Sequence, residues 1–197
     1  MNTENFTGKA EAYAIGRPGY PKAAIEYICS LVPQNAVFAD IGAGKGKFTV
    51  TLAQSGYSLF AIEPNADMRG QLAITLAPFP NVKIMDGTTE TTTLPEQSID
   101  VITVAHALHW FNLYEFRAEC NRIVKPGGLV IAIYNHVPGR EMTDFCKQTI
   151  DMFFQILRLG HFPTQWNIHG IIGSHTSHHW TTVYYQTPPD MIHISLH

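Results

Sequence analysis

The stretch Ala36-Val-Phe-Ala-Asp-Ile41, followed at once by Gly42-Ala-Gly44-Lys-Gly46, constrains the fold more than any other part of the chain. A short apolar run without polar alternation suits a strand buried on both faces, as in a parallel sheet. Glycines placed directly after such a strand let the backbone turn sharply and approach a ligand closely. They also aim the free N–H groups of the next helix inward.

The chain beyond the loop repeats strand and helix. A helix is expected from about Lys47, closed by Gly56 as its C-terminal cap. Tyr57 to Ile62 reads as a second strand ended by Glu63-Pro64, and Asn65 caps a helix running towards Leu76. Pro78 and Pro80 break the chain there. Val82 to Met85 and Ile99 to Ala105 read as the third and fourth strands, and Asn112 to Val124 as a helix. Lys125-Pro-Gly-Gly128 reads as a tight turn feeding a fifth strand, Leu129 to Tyr134. Upstream, Pro21 through Val32 forms an amphipathic helix that packs through Ala24, Ile25, Ile28 and Leu31. Strands separated by such helices predict right-handed βαβ units and a mostly parallel sheet covered on both faces, an α/β fold in three layers. A sheet of this kind binds its ligand beyond the carboxyl ends of its strands, where the strand order reverses. Asp40, Glu63, Asp86 and His106 all fall at those ends.

The loop itself discriminates among ligands. A phosphate-binding P-loop, GxxxxGK[ST], fails at both ends: Ile41 stands five residues before Gly46, and Phe48 follows Lys47. A dinucleotide loop wants GxGxxG, whereas Gly42, Gly44 and Gly46 give GxGxG, and Asp40 before them faces a pyrophosphate unfavourably. Asp40 suits a ligand with an ammonium group. Glu63, 23 residues after Asp40, can accept hydrogen bonds from both hydroxyls of an adenosine ribose. Lys45 and Lys47 are read as solvated.

Composition narrows the function classes. The 197 residues are 45% hydrophobic and 15% charged, with a net charge of −3, which argues against disorder and against a protein built to grip nucleic-acid phosphates. No basic stripe with interleaved aromatics appears, so no nucleic-acid partner is expected. No apolar run approaches the roughly 18 residues of a membrane span, and the N-terminus lacks a basic-then-apolar signal. Cys29, Cys120 and Cys146 are far apart without a CxxC pair and read as reduced thiols. The expectation is a soluble, cytoplasmic domain without a membrane partner.

Taken in order, Asp40-x-Gly42-x-Gly44-x-Gly46, Glu63, Gly87-Thr-Thr-Glu90, Leu94-Pro95, Ser98-Ile-Asp100-Val101, Ala107-Leu-His109-Trp110-Phe111 and Arg122-Ile-Val-Lys125-Pro-Gly-Gly128 resemble the class I S-adenosylmethionine-dependent methyltransferases. Within them the sequence is similar to the type 11 methyltransferase domain. Tyr13-x3-Arg17-Pro18-x-Tyr20-Pro21 and the His-Trp-Phe signature are similar to its trans-aconitate-methyltransferase-like subgroup. The resemblance covers about residues 6 to 135.

It implies a Rossmann-like αβα sandwich with S-adenosylmethionine as cofactor. Gly42, Gly44 and Gly46 would wrap the methionine moiety, Asp40 would meet its ammonium end, often through water, and Glu63 would hold the ribose. Where the family usually offers an acid to the adenine amino group, this chain has Thr88, so the adenine contact is open among Asp86, Thr88 and a backbone group. Glu90 resembles the acid that often follows; helix capping or solvation would explain it equally well. The backbone at Ala105 and His106 would lie beside the cofactor. Tyr13 and Arg17 would belong to a segment folded over it, with Arg17 pairing the methionine carboxylate. His109 and Trp110 would mark the acceptor pocket, with His109 the candidate base and Trp110 a wall whose ring favours the sulfonium. The implied reaction is an in-line methyl transfer to a small-molecule carboxylate or hydroxyl.

The chain divides into a cap segment and helix (1–35), a cofactor-binding domain (36–160) and an atypical tail (161–197). The domain extends through a helix from Arg140 to Leu159. In the tail lie seven of the ten histidines, and Asp190 is its one charged residue. The tail reads as a truncated or altered C-terminal part, poorly ordered, that leaves the sheet incomplete. Trp180 to Tyr185 and Met191 to Ser195, joined by Thr187-Pro-Pro-Asp190, can nonetheless imitate the hairpin that completes such a sheet. His175, His178 and His179 lack a nearby acid or cysteine, and no metal is expected. Two rival readings remain: a catalytically silent relative that binds cofactor or a partner, and a nicotinamide-dependent oxidoreductase, disfavoured by the glycine spacing.

Overall fold

The computed structural model describes residues 20, 22–136, 148, 152, 167–174, 180–186 and 193–196. Helix α1 (Lys22–Ser30) precedes β1 (Val37–Ile41), α2 (Lys47–Ala53), β2 (Ser58–Ile62), α3 (Ala66–Leu76) and β3 (Val82–Met85). There follow β4 (Ile99–Ala105), a 3-10 turn (Leu108–Trp110), α4 (Leu113–Ile123), β5 (Val124–His136), β6 (Asn167–Ser174), β7 (Trp180–Gln186) and β8 (His193–Leu196). Among the described residues one sheet runs in the order β3-β2-β1-β4-β5-β6-β7-β8. The strands from β3 to β6 are parallel to their neighbours, and β7 and β8 add antiparallel.

Alternation along the strands builds the layers. Phe38, Leu59, Val101 and Ile131 face α1 and α2, meeting Ile25, Ile28, Phe48 and Leu52. Ala39, Ile41, Ile102, Val104 and Val130 face the opposite way, onto Phe116, Cys120 and Ile123 of α4. Helix α3 covers Ala61 through Leu72 and Leu76. Phe38, Ile28 and Leu52 are fully buried, each such side chain contributing roughly 1.5–3 kcal/mol. The result is the expected three-layer αβα sandwich, with β1 and β4 adjacent and the chain departing from β1 in both directions. That reversal opens a crevice at the carboxyl ends of β1 and β4.

Local chemistry explains most boundaries. Asn65 caps α3, its side chain accepting from the Met68 N–H at 3.0 Å. Helix α2 ends at Ala53 with Gln54 as its C-cap, so Gly56, left-handed at φ +82°, serves the turn after the helix and not the cap. Lys125-Pro-Gly-Gly128 is not a separate turn. It lies within β5, where the register against β4 shifts between Ile99 and Val101 and Gly127 takes φ +78°. A Cβ on Gly128 would stand 2.9 Å from the Asp100 carbonyl oxygen, so this bulge requires glycine. At the opposite edge, β7 and β8 pair antiparallel as the hairpin reading has it. The strand β6 was not anticipated: it stands between β5 and the hairpin, parallel to β5, and leaves β8 on the sheet's outer edge.

The segment carrying Tyr13 and Arg17 lies outside the described residues, as do His175, His178 and His179. The helix expected over residues 140–159 lies outside them too, except at Gln148 and Met152, both helical. No described helix is long and apolar enough to cross a membrane.

Candidate functional site

The chain leaves β1 through the glycine loop. Gly42, Gly44 and Gly46 all adopt positive φ, at +75°, +57° and +87°, a region that costs an L-residue about 1–2 kcal/mol. The Gly42 and Ala43 N–H groups both donate to the Ile62 carbonyl at 3.0 Å, which draws the loop onto the end of β2. The glycines differ in what surrounds them. A Cβ on Gly42 would lie 2.9 Å from the Ala107 Cβ and 3.3 Å from the Phe111 ring, and one on Gly46 would lie 2.7 Å from Leu72. Nothing lies within 4 Å of the position a Gly44 Cβ would take. The loop is therefore packed from behind and open at its middle, as a cradle for a ligand must be.

Glu63 follows β2 and reaches into this loop. Its Oε2 accepts from the Gly44 N–H at 2.8 Å and its Oε1 from the Asn65 N–H at 2.9 Å. The residue is only 6% exposed. Burial raises its pKa, against the lowering effect of the two backbone N–H groups and of Arg69. Each carboxylate oxygen retains a second lone pair, so a pair of vicinal hydroxyls fits its acceptor capacity. This is the chemistry expected of a ribose contact.

Asp40 behaves differently from the simplest expectation. It is 1% exposed, and both oxygens are engaged from within: Oδ2 accepts from the Thr49 hydroxyl at 2.6 Å and Oδ1 from the Thr103 hydroxyl at 3.1 Å. Burial pushes its pKa up to about 6, with the neighbouring Glu63 charge adding to the rise and the two threonines opposing it. Asp40 thus ties β1 to α2 and β4 beneath the loop. Each oxygen thus takes one hydrogen bond from a threonine hydroxyl at the base of the loop.

Asp86, at the exit of β3, is exposed and accepts from Arg69 Nη2 at 3.1 Å. Thr88 lies in a tight turn, donating its N–H to the Thr91 carbonyl at 3.0 Å and accepting from the Thr91 N–H on its hydroxyl at 3.1 Å. Glu90 has a lowered pKa; burial works against this, and the Thr88 hydroxyl is the largest of the groups holding the charge. Glu119 on α4 fastens the same loop: its Oε1 accepts from the Thr92 N–H at 2.8 Å, and both its oxygens accept from Arg122.

Beyond β4, Ala105 is followed by His106 at φ +54°, a conformation uncommon for a residue other than glycine. The His106 N–H donates to the Ile133 carbonyl at 2.9 Å, and its ring lies 6.4 Å from that of Tyr20. His109 and Trp110 occupy the 3-10 turn, their rings 4.9 Å apart, with Trp110 41% exposed. Phe111 is buried behind Gly42, so the His-Trp-Phe segment contributes its third ring to the loop's support. The structure therefore brings together the ends of β1, β2 and β4, with the β3 exit flanking them. Among the described residues no group of three or more His, Cys, Asp or Glu could hold a metal ion.

Sequence reading missed Thr49, Thr103, Arg69 and Glu119. A signal existed for one of them: Thr103 is a polar residue inside an otherwise apolar β4, and a buried threonine in such a run needs a partner.

Comparison with known proteins bears on the same region. Residues 39–132 match the family model of a methyltransferase domain. An uncharacterised methyltransferase of Mycobacterium tuberculosis strain H37Rv is 32% identical over 131 residues, 66% of this chain and 52% of the relative. A solved structure of a provisionally assigned type II methyltransferase from Anaeromyxobacter dehalogenans is 30% identical with a TM-score of 0.55, covering 61% of this chain and 50% of that one. A provisionally assigned S-adenosylmethionine-dependent methyltransferase from Methanococcus maripaludis is 17% identical with a TM-score of 0.64, covering 97% and 93%, a likeness of fold. The fold is thus the Rossmann-like one of these methyltransferases. The chain spans about half the length of the first curated relatives it matches.

Proposed function

We propose that this chain binds S-adenosylmethionine in the crevice formed by the ends of β1, β2 and β4, and transfers its methyl group to a small-molecule carboxylate or hydroxyl. The observation that carries this reading is the bond from the Gly44 N–H to Glu63 Oε2 at 2.8 Å, which sets a buried carboxylate against an open, left-handed glycine loop. A ribose with two free hydroxyls and an attached amino acid fits that pairing, and a pyrophosphate beside two carboxylates does not. The similarity of residues 39–132 to a methyltransferase domain supports it independently.

When bound, the cofactor supplies a methyl carbon on a positively charged sulfur. The protein's part is to align the reacting groups and exclude water. In this reading Glu63 holds the ribose hydroxyls, and the loop Gly42, Gly44 and Gly46 receives the methionine moiety. Asp86, Thr88 or a backbone group lies on the adenine side, and the Ala105–His106 backbone borders the reacting end. Tyr13 and Arg17 belong to the covering segment, with Arg17 on the methionine carboxylate. Asp40 keeps the loop in place from beneath and meets the ammonium end of the methionine moiety through water. His109 and Trp110 line the acceptor side. A carboxylate acceptor needs no general base, because charge is neutralised as the methyl moves; a hydroxyl acceptor needs one, and His109 is the group assigned to it. The setting is proposed to be the cytoplasm, without a nucleic-acid or membrane partner.

The test is transfer of labelled methyl from S-adenosylmethionine by the full chain across a panel of small carboxylic acids and phenols. Label in a small-molecule product supports the reading. Cofactor binding without transfer to any acceptor would leave a binding protein and overturn the enzymatic part.

A further inference from the structure

Arg69 makes contacts that neither the fold nor the cofactor reading requires. It lies in the first turn of α3, and one guanidinium nitrogen, Nη1, donates to the Glu63 carbonyl at 2.9 Å and the Pro64 carbonyl at 2.8 Å. The other, Nη2, donates to Asp86 Oδ2 at 3.1 Å. Strands β2 and β3 end side by side with Ile62 paired to Met85. The carbonyls of Glu63 and Pro64 lie just past the end of one ladder and Asp86 just past the end of the other. A single rigid cation therefore spans the two strand exits. Only a guanidinium offers donors in a fixed plane to three separate acceptors; an ammonium is a point charge on a flexible stem.

The consequence falls on Glu63. Its carboxylate is held by the Gly44 and Asn65 N–H groups and its main-chain carbonyl by Arg69. Backbone and side chain of that residue are thus each held by hydrogen bonds. The ion pair to Asp86 adds little stability, because Asp86 is 70% exposed and water screens the pair. What it fixes is the direction of the guanidinium.

We infer that Arg69 is a positioning residue that holds Glu63 in its ribose-binding geometry, and that Asp86 anchors Arg69 without touching the cofactor. This rests on the cofactor reading above and deepens it, for it removes Asp86 from the candidates for the adenine contact. Arg69 acts through Glu63, so its loss changes how well the site tells ribose from deoxyribose, a readout that a general loss of stability would not move.

The experiment measures calorimetric Kd values of the full chain for S-adenosylhomocysteine and for its 2′-deoxyribose analogue, in wild type, Arg69→Ala, Arg69→Lys, Asp86→Ala and the Arg69→Ala/Asp86→Ala double variant. Loss of hydrogen bonds from a charged donor predicts about tenfold weaker binding of S-adenosylhomocysteine by Arg69→Ala, with the preference for ribose much reduced. Arg69→Lys falls between, and Asp86→Ala weakens binding about threefold, as an exposed pair allows. The double variant binds like Arg69→Ala alone, because Asp86 acts only through the arginine. Should Arg69→Ala not fold, Arg69→Lys and Asp86→Ala carry the test. Unchanged affinity and ribose preference in the arginine variants overturn the clamp while leaving the cofactor reading intact. A double variant about threefold weaker again than Arg69→Ala would return Asp86 to the ligand. Failure of wild type to bind S-adenosylhomocysteine overturns the reading beneath both.

Discussion

Asp40 and Glu63 are both buried carboxylates near one loop, yet their surroundings divide them. Among the described residues Glu63 accepts from the Gly44 and Asn65 backbone N–H groups, one on each oxygen. Asp40, 1% exposed, accepts instead from the Thr49 and Thr103 side-chain hydroxyls. The sequence made both acids visible, because each follows an apolar strand. It did not show how differently the two are held, since that depends on partners brought in from α2 and β4. The raised pKa of Asp40, about 6 against an ordinary 3.8, has a definite sign. Between those values the folded chain holds a proton that the unfolded chain has lost. This group's contribution is therefore fully present below about pH 4 and is lost as pH rises towards 6, a change on the order of 3 kcal/mol. Asp40→Asn lacks that ionisation. Urea unfolding at pH 4.5 and 7.5 should show a less negative change in stability with rising pH for Asp40→Asn than for wild type; equal changes would mean the carboxylate is not held as described. Removing the other acid acts on the ligand: Glu63→Ala should weaken S-adenosylhomocysteine binding by about 1–3 kcal/mol in calorimetry.

At the scale of elements the glycine loop gives a sharper contrast. Gly42→Ala forces a Cβ to within 2.9 Å of the Ala107 Cβ at φ +75° and should destabilise the fold by about 2 kcal/mol or more. Gly44→Ala meets no neighbour within 4 Å and should cost only the strain of its left-handed backbone, about 1 kcal/mol. Its methyl group nevertheless stands on the open part of the loop, where the methionine moiety is proposed to bind. Thermal melts should rank Gly42→Ala as the more damaging, whereas Gly44→Ala should lose more affinity for S-adenosylhomocysteine than its melting point implies. Asn65→Ala, which removes the cap on α3, should cost about 1 kcal/mol by urea denaturation. Strand β3 and strand β4 lie where apolar runs bounded by turn residues place them, because local pattern and tertiary burial agree there. Lys125 to Gly128 did not read correctly, since proline and two glycines signal a turn in isolation. Their role as a bulge appears only when β4 lies alongside and Asp100 comes close to Gly128. Arg69 was illegible for a related reason: nothing local to α3 says that its guanidinium will meet the ends of two strands.

For the molecule as a whole, the alternation of strand and helix from β1 to β5 was enough to predict the layers and the end of the sheet where the candidate site lies. Acids at the strand ends pointed to the carboxyl edge of the sheet; which two strands flank the reversal, β1 and β4, became visible only in the structure. Strand β6 was not legible, because its residues, Asn167 to Ser174, mix glycine with isoleucine and carry no strong turn signal on either side. The proposed function turns on the identity of the crevice's ligand, and titration calorimetry of the full chain with S-adenosylhomocysteine and, separately, with NAD tests that most directly. Saturable binding of the thioether nucleoside, with no comparable heat from the dinucleotide, is the predicted result. Tighter binding of NAD, or no binding of S-adenosylhomocysteine at all, would contradict it.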